Sequence, residues 1–305
     1  MHPRNLHKDG YDFTVLVRAL PSLSDYLRVN PAGRQTIDFA DPNAVKALNA
    51  ALLKHYYRVS QWDIPAGYLC PPVPGRADYI HHIADLLAES NNGVVPTGNA
   101  IRGLDIGTGA NLIYPIIGKQ LYDWRFVASD IDKKALQAAK LIQSMNAPLN
   151  KSIDVRLQTD ASCIFSGIVG HQDSFSFSMC NPPFHASEQA ASQGSMRKQV
   201  NLDRHQRKRK GAGATNSQSK PLQPLNFAGT NNELWCDGGE VGFILRMIEQ
   251  SAEYARQIGW FTCLVSSKES LKPLYKKLDN CDVSQYTTIK MGQGNKQSRF
   301  LAWRY

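Results

Sequence analysis

The spacing of apolar residues changes character near residue 100. Within residues 1–96 apolar side chains recur at helical intervals, and Asp41-Pro42 has the form of a helix N-cap followed by proline at the first helical position. From residue 97 onward, apolar strands alternate with amphipathic helices, the pattern of a mainly parallel sheet covered on both faces. The sequence therefore predicts a helical extension over residues 1–96 and an α/β domain over residues 97–305.

Seven strands can be placed in the α/β domain from this pattern. They are predicted at residues 101–106, 125–130, 153–158, 174–180, 259–266, 283–291 and 298–304. Helices are predicted at residues 111–121, 132–146 and 238–257, with a short one after Lys272-Pro273. The Gly292-Gln-Gly294 turn separates the last two strands, so the mostly parallel sheet should end in an antiparallel hairpin.

Composition places the chain of 305 residues among ordinary globular proteins, with 42% apolar residues. No apolar run approaches the ~20 residues of a membrane span, and the N-terminus lacks the apolar core of a signal peptide. The six cysteines form no Cys-x-x-Cys pair, which indicates free thiols in a reducing compartment. We therefore expect a cytoplasmic monomer that contacts no membrane and holds no metal ion.

Most of the net charge of +9 lies in one segment. Between residues 194 and 225, eight lysines and arginines stand against one aspartate, so this segment carries +7 of the total. Its composition and lack of periodicity predict a flexible basic insertion. A solvated insertion without function is one interpretation, but its start ten residues after Phe184 favours contact with a polyanionic substrate. The candidate contacts are Arg197, Lys198, Arg207, Lys208, Arg209 and Lys210.

A strand-ending Asn-Pro-Pro-Phe tetrapeptide is the most informative chemical motif. Asn181, Pro182, Pro183 and Phe184 follow the strand predicted at 174–180, at the edge where open α/β sheets bind their ligands. The prolines remove two backbone donors and leave carbonyl acceptors. An amide oxygen, a carbonyl and an aromatic ring together suit the binding of a planar –NH2 group. The alternative interpretation of the tetrapeptide is an ordinary turn that ends the strand. We predict that these four residues form the catalytic site of an enzyme that alkylates such a nitrogen.

A glycine pair and three aspartates predict a cofactor pocket at the same edge. Gly107 and Gly109 follow a strand directly, and glycines at such a turn let backbone N–H groups approach a ligand. The third glycine of a dinucleotide fingerprint is absent, and Asp105 suits a cofactor with an amino group, such as S-adenosylmethionine, better than a pyrophosphate. Asp130 ends the next strand, where a carboxylate can accept ribose hydroxyls. Asp160 follows the third strand, as an adenine contact or as a solvent-exposed turn residue.

These two pockets together suggest methyl transfer to the exocyclic nitrogen of adenine. The N6 lone pair is delocalised into the ring, so the task of the enzyme is geometric and electrostatic. As a hypothesis, the Asn181 side-chain oxygen and the Pro182 carbonyl accept the two N6 hydrogens, while Phe184 stacks on the base.

The chain closely resembles the bacterial 23S rRNA adenine-N6-methyltransferases of the F type, whose eukaryotic relatives are the methyltransferase-like 16 proteins. The resemblance rests on His2-Pro-Arg-Asn5, Val73-Pro-Gly-Arg-Ala-Asp-Tyr-Ile-His81, Asp105-Ile-Gly-Thr-Gly-Ala110, Asn181-Pro-Pro-Phe184, Glu233-Leu-Trp-Cys236 and Gln297-Ser-Arg-Phe300. It implies a Rossmann-like class I fold and S-adenosylmethionine-dependent N6-methylation of one adenine, nucleotide 1618 in the family's naming, in 23S rRNA or a large-subunit precursor. It also implies that Arg76 helps to bind the cofactor and that the N-terminal helices contact RNA.

Two other functions are compatible with parts of the sequence. A protein glutamine N5-methyltransferase presents a similar motif to an amide –NH2, but such enzymes usually end it with tyrosine and need no polycationic loop. A non-catalytic RNA-binding module would be expected to lose Asp130 or the glycines, which this chain retains. One departure from the family is that the stretch 204–224 looks longer and more basic than expected, so its role is unassigned.

Overall fold

The computed structural model describes residues 1–183, 236–293 and 296–305. Phe184, the predicted basic insertion at residues 194–225 and its six candidate contacts lie outside the described residues.

All six cysteines are free thiols. No helix in the described part of the chain combines the length and the apolar character that a membrane span requires.

Helices are the main regular structure of the first 96 residues, which also contain a small β-hairpin. The elements are α1 (Phe13–Ala19), a 3-10 helix (Pro21–Tyr26), β1 (Leu27–Val29), β2 (Gln35–Ile37), α2 (Pro42–Tyr57) and α3 (Val73–Glu89). Asp41 caps α2 through a bond from the Asn43 N–H, as predicted. The sequence pattern gives no signal for the antiparallel β1–β2 pair because strands of three residues are too short to show alternation.

A seven-stranded sheet forms the centre of the α/β domain. Its strands are β3 (Arg102–Ile106), β4 (Arg125–Asp130), β5 (Ile153–Leu157), β6 (Phe175–Cys180), β7 (Ile258–Leu264), β8 (Gln285–Gln293) and β9 (Lys296–Arg304). Their order is β5-β4-β3-β6-β7-β9-β8, and β9 runs antiparallel to both of its neighbours. The predicted mostly parallel sheet with an antiparallel last strand is therefore confirmed.

Helices cover both faces of this sheet and divide the core into two layers. The described helices of the domain are α4 (Ile113–Tyr122), α5 (Lys133–Ser144), α6 (Ala147–Asn150), α7 (Gly239–Ser251) and α8 (Leu271–Asp279). Along β9, Phe300 and Ala302 join the cluster that contains residues of α2, α3 and α4. Leu301 and Trp303 join the opposite cluster, with residues of α7 and α8. All four are fully buried, and burying each large apolar side chain contributes about 1.5–3 kcal/mol.

The N-terminal helices pack directly on the sheet. Tyr79 of α3 lies 4.9 Å from Phe300 between ring centroids, and its hydroxyl shares a 2.8 Å hydrogen bond with the Thr262 hydroxyl of β7. Thr262 in turn donates to the Ser178 carbonyl of β6. The helical region and the domain therefore share one core, whereas the assignment of residues 1–96 as an RNA-binding unit stays a prediction.

Two buried histidines predict a loss of stability in mild acid. His7 Nε2 lies 2.8 Å from the Tyr57 hydroxyl, and His81 Nδ1 lies 2.6 Å from the Tyr122 hydroxyl. Burial lowers the pKa of each imidazole to about 4. Because an unfolded histidine has a pKa of about 6.5, the unfolded chain binds more protons between these values. The free energy of unfolding should therefore fall as the pH is lowered from about 6.5 to about 4.

Urea denaturation of the native protein and of the double variant H7Q/H81Q at several pH values checks this expectation. The variant is less stable at neutral pH because it loses two buried partners. Since it carries no titrating group at either position, its deficit should shrink steadily toward pH 4.5. A deficit that stays constant with pH would contradict the assignment.

Candidate active site

A cavity of about 430 Å³ lies at the carboxyl ends of β3, β4 and β6. Such a volume is in the range of small-molecule and cofactor sites. The lining includes six residues that were predicted from separate motifs, namely Arg76, Gly107, Gly109, Asp130, Asn181 and Pro183. Because parallel strands present their carboxyl ends at one edge, the predicted cofactor pocket and the predicted catalytic motif form a single space.

Asn181 presents a hydrogen-bond acceptor that the described residues do not use. It follows Cys180 at the end of β6, and its Oδ1 is buried without a hydrogen-bond partner in the described residues. Pro182 is buried beside it, and Pro183 is half-buried and lines the cavity. Leaving a buried polar atom unpaired costs about 1–3 kcal/mol, which indicates an atom kept for a ligand. The structure leaves the role of Phe184 a prediction.

The glycine turn after β3 is fixed to the end of β4. Gly107 and Gly109 have φ angles of +73° and +64°, which residues other than glycine rarely adopt. The N–H groups of Gly107 and Thr108 donate to the Ser129 carbonyl at 2.9 Å, and the Gly109 N–H donates to Asp130 Oδ2 at 2.8 Å. These three N–H groups are therefore bonded within the protein, and the part of the turn in cofactor binding stays a prediction. The glycines contribute backbone conformation and an open surface, since a Cβ at Gly107 would meet no protein atom within 4 Å.

Asp130 is held in place by backbone donors. Its Oδ1 accepts from the Asp132 N–H at 2.9 Å, and its Oδ2 accepts from Gly109. Burial raises the pKa of Asp130, and these N–H bonds oppose the rise. Each carboxylate oxygen keeps a further acceptor position, so the group can receive two hydroxyl donors. Asp132 caps α5, as predicted, and also accepts from the Tyr68 hydroxyl at 2.8 Å.

Asp105 does not itself line the cavity but lies directly before the lining residue Ile106, and its two buried carboxyl oxygens have no hydrogen-bond partner among the residues that the structure describes. The Thr108 hydroxyl beside the turn is likewise unpaired there. Burial raises the pKa of Asp105 to about 7; the nearby Thr108 hydroxyl and the Arg76 charge lower it, whereas the Asp130 charge raises it further. A carboxyl in this setting favours a cationic or hydrogen-bond-donating ligand group.

Arg76 enters the cavity from the first turn of α3. Its Nη1 donates to the Tyr114 hydroxyl at 2.6 Å, and its guanidinium lies 5.4 Å from the centre of the Tyr114 ring. Its Nε is buried without a partner in the described part of the chain. A guanidinium with a free donor can bind a carboxylate of a ligand.

The N-terminal motif fixes the turn that carries Arg76. Asn5 Nδ2 donates to the Pro74 carbonyl at 2.9 Å and to Asp78 Oδ1 at 3.0 Å. The backbone N–H of His2 donates to the same Asp78 oxygen at 2.6 Å. Residues 2–5 and 73–81, the first two motifs of the family resemblance, are thus joined by hydrogen bonds.

Asp160 does not line the cavity, although its neighbours do. Its carboxylate is exposed and accepts from the Ser162 N–H at 2.8 Å and from the Ser162 hydroxyl at 2.6 Å, bonds that lower its pKa. The wall at this point is formed by Gln158 and by residues 161–163. Contact of Asp160 with adenine stays a prediction.

Several residues that line the cavity are not indicated by any sequence motif. Tyr114 lies on α4, Gln158 follows β5, and Phe243 and Arg246 lie on α7. Arg246 has no ion-pair partner among the described residues. Helical periodicity indicates that Phe243 and Arg246 are neighbours one turn apart, but no pattern in a single sequence indicates that they face a cavity.

The donor set fits S-adenosylmethionine. The Arg76 guanidinium matches the carboxylate of the cofactor, and the Asp105 carboxyl matches its amino group. The Asp130 carboxylate, which has further acceptor positions, matches its ribose hydroxyls. The N–H groups of Gly107, Thr108 and Gly109 are already bonded within the protein, which argues against a pyrophosphate at these three positions. Asn181 lines the same cavity as Arg76 and Asp130.

A sequence model of a family described as RNA methyltransferase matches residues 1–305. The chain belongs to this RNA methyltransferase family. It is 53% identical to the ribosomal RNA large subunit methyltransferase F of Pseudoalteromonas atlantica over 305 residues, which cover 100% of this chain and 92% of the relative. It is 50% identical to the enzyme of the same name from Flavobacterium johnsoniae, covering 100% of this chain and 93% of the relative.

Solved structures of the family resemble the chain over its whole length. The hMettl16 catalytic domain in complex with MAT2A 3'UTR hairpin 1 has a TM-score of 0.78 and 31% identity, covering 100% of this chain and 95% of that one. The N-terminal domain of human METTL16 in complex with SAH has a TM-score of 0.75 and 29% identity, covering 100% and 98%. The predicted family resemblance, the predicted Rossmann-like methyltransferase fold and the predicted enzyme class are confirmed.

Proposed function

We propose that this RNA methyltransferase transfers a methyl group from S-adenosylmethionine to the N6 nitrogen of one adenine in 23S rRNA. The observation that carries the proposal is the single cavity whose lining brings Asn181, with an Oδ1 unpaired among the described residues, together with Arg76 and Asp130. The names of the bacterial relatives support a large-subunit rRNA substrate. The SAH and RNA complexes of the human relative support the cofactor and the substrate class.

The cofactor would be held by residues from three elements. Arg76 of α3 would bind its carboxylate, Asp105 of β3 its amino group, and Asp130 of β4 its ribose hydroxyls. Gly107 and Gly109 would leave space for it at the turn, and Asp160 would contact the adenine from the β5 loop. When bound, S-adenosylmethionine supplies a methyl group on a positively charged sulfur, which makes the methyl group ready to leave.

The catalytic contribution of the protein is to orient the target nitrogen. Asn181 Oδ1 and the Pro182 carbonyl would each accept one N6 hydrogen, which directs the lone pair of the nitrogen out of the ring plane. The same two dipoles stabilise the positive charge that develops on N6 as the new bond forms. Phe184 would stack on the base, and the proton would leave N6 after transfer, so no general base is needed.

The finer parts of the proposal concern the partner. The target is nucleotide 1618 of 23S rRNA, free or in a large-subunit precursor, and the basic residues Arg197, Lys198, Arg207, Lys208, Arg209 and Lys210 contact its phosphates. The N-terminal helices would contribute further RNA contacts. The protein would act as a cytoplasmic monomer.

A labelled-methyl assay with two competing substrates tests the proposal. We expect label on protein-free 23S rRNA, and digestion of the RNA to nucleosides should release it as N6-methyladenosine. A release-factor protein in the same reaction should stay unlabelled. Label on that protein alone would support the glutamine methyltransferase, and label on neither would favour a non-catalytic RNA-binding module.

A further inference from the structure

A second concave surface, of about 700 Å³, lies between α8 and the β8–β9 hairpin. We define it as the α8 groove by its residues Lys268, Lys272, Tyr275, Lys276, Lys290 and Arg299. We infer that the α8 groove binds the phosphate backbone of the RNA that flanks the target adenine. The inference rests on the proposed function and adds a binding surface outside the cavity.

The α8 groove carries an excess of positive charge: five cationic side chains line it against one carboxylate, while Glu269 beside it interacts with Lys268 and Arg299. The ammonium groups of its four lysines are exposed and have no ion-pair partner among the described residues. The groove has one lining carboxylate, Asp279, whose Oδ1 accepts from the Tyr286 hydroxyl at 2.6 Å. On another face of the same helix, by contrast, Lys277 pairs with Glu249 at 3.5 Å. The unpaired cations of α8 therefore face the groove.

The geometry of the groove suits a chain of phosphates with bases. Lys272 and Lys276 lie one helical turn apart, about 6 Å between neighbouring side chains, so they form a row along the groove. Tyr275 lies in the same wall, stacked on Tyr286 with 5.6 Å between ring centroids, and its hydroxyl bonds to the Thr288 hydroxyl at 2.7 Å. A fixed aromatic surface between cations is a common arrangement for nucleic-acid strands.

The α8 groove begins at the same edge of the sheet as the cavity. Lys268 and Arg299 lie near the carboxyl end of β7, where the Val265 N–H donates to the Arg299 carbonyl at 3.0 Å. The next residue, Ser266, donates its N–H to Glu240 Oε2 at 2.7 Å, in the first turn of α7. Residues 236 and 237, just before α7, line the cavity. An RNA strand that leaves Asn181 across β7 would therefore reach the groove, on the side away from the cofactor groups.

Salt-dependent RNA binding by paired lysine variants tests the inference. The variant K272Q/K276Q removes two charges from the groove, and K140Q/K151Q removes two exposed charges beside the opposite edge of the sheet. Each phosphate contact contributes roughly 0.7–0.9 to the slope of log affinity against log salt concentration. We expect the groove variant to lose roughly 1.4–1.8 from this slope with a 23S rRNA fragment, and therefore to bind roughly 25–60-fold more weakly at about 0.1 M salt if the two proteins bind equally at about 1 M. The control variant should bind like the native protein.

Further readouts separate the groove from the catalytic site and from folding. At saturating RNA the groove variant should keep native turnover, native S-adenosylmethionine affinity and a native unfolding midpoint. A native salt slope in K272Q/K276Q, or an equal loss in K140Q/K151Q, would overturn the inference. So would a loss of affinity for polyglutamate with RNA affinity unchanged, which would indicate an acidic protein partner. If the native protein labels no RNA, the proposed function fails, while the comparison of slopes still decides the role of the groove.

Discussion

Replacing Asn181 by alanine should lower the rate of methyl transfer by roughly 10²–10³-fold, the loss that follows removal of one preorganised charge-stabilising group. The Asn181 oxygen lacks a partner in the described protein, so its removal should leave the fold intact and act on the reacting nitrogen alone. Single-turnover rates at saturating cofactor and RNA measure the effect directly. The affinity for S-adenosylmethionine should change little, because its predicted contacts lie on other elements.

A matched control for this substitution lies on the same strand. Ser178 of β6 is fully buried, and its hydroxyl has no hydrogen-bond partner in the described residues. The variant S178A therefore removes an unpaired buried polar atom three residues from Asn181 without touching the cavity lining. It should keep native turnover. Equal losses in both variants would mean that the Asn181 effect is structural, and near-native turnover in N181A would refute the proposed role of its oxygen.

The strands of the sheet could be predicted because the order of apolar and polar residues within each strand reflects which of its faces are buried. Residues 125–130 are predicted at their observed limits, since Phe126 and Val127 face opposite core layers and Asp130 ends the apolar run. The Asn181 motif was predictable for the same reason, because the preceding strand places it at the ligand edge. The local sequence pattern is sufficient to predict an element or a motif when its position depends only on residues in the same segment.

The rest of the site depends on contacts between distant segments. The bonds from His2 and Asn5 to Asp78 link residues more than 70 positions apart, and nothing in either motif alone indicates the pairing. The hydrogen bonds of the glycine turn depend in the same way on the Ser129 carbonyl of the neighbouring strand. Glycine at such a turn indicates an unusual backbone conformation, but it does not indicate which acceptor its N–H group donates to.

Replacing Asp105 by asparagine should stabilise the cofactor-free protein at high pH. Burial raises the pKa of Asp105 to about 7 in the folded protein, while the unfolded carboxyl has a pKa of about 3.9. Its contribution to folding is thus fully present below about pH 4 and is lost as the pH rises through about 7. At pH 8 the native protein carries a buried charge that the variant lacks, a difference of up to about 4 kcal/mol. Urea denaturation at pH 5 and pH 8 measures it.

The same substitution should have the opposite effect on cofactor binding. In the native protein the affinity for S-adenosylmethionine should rise as the pH passes about 7, because the ionised Asp105 carboxylate can then pair with the cofactor's amino group. In D105N this rise should disappear, and affinity at pH 8 should fall at least about tenfold, the loss of a charge-assisted hydrogen bond. Because His7 and His81 titrate at lower pH in both proteins, they cancel in the comparison. Equal pH dependence of affinity in the two proteins would show that Asp105 does not hold that group, and equal pH dependence of stability would show that burial does not raise its pKa.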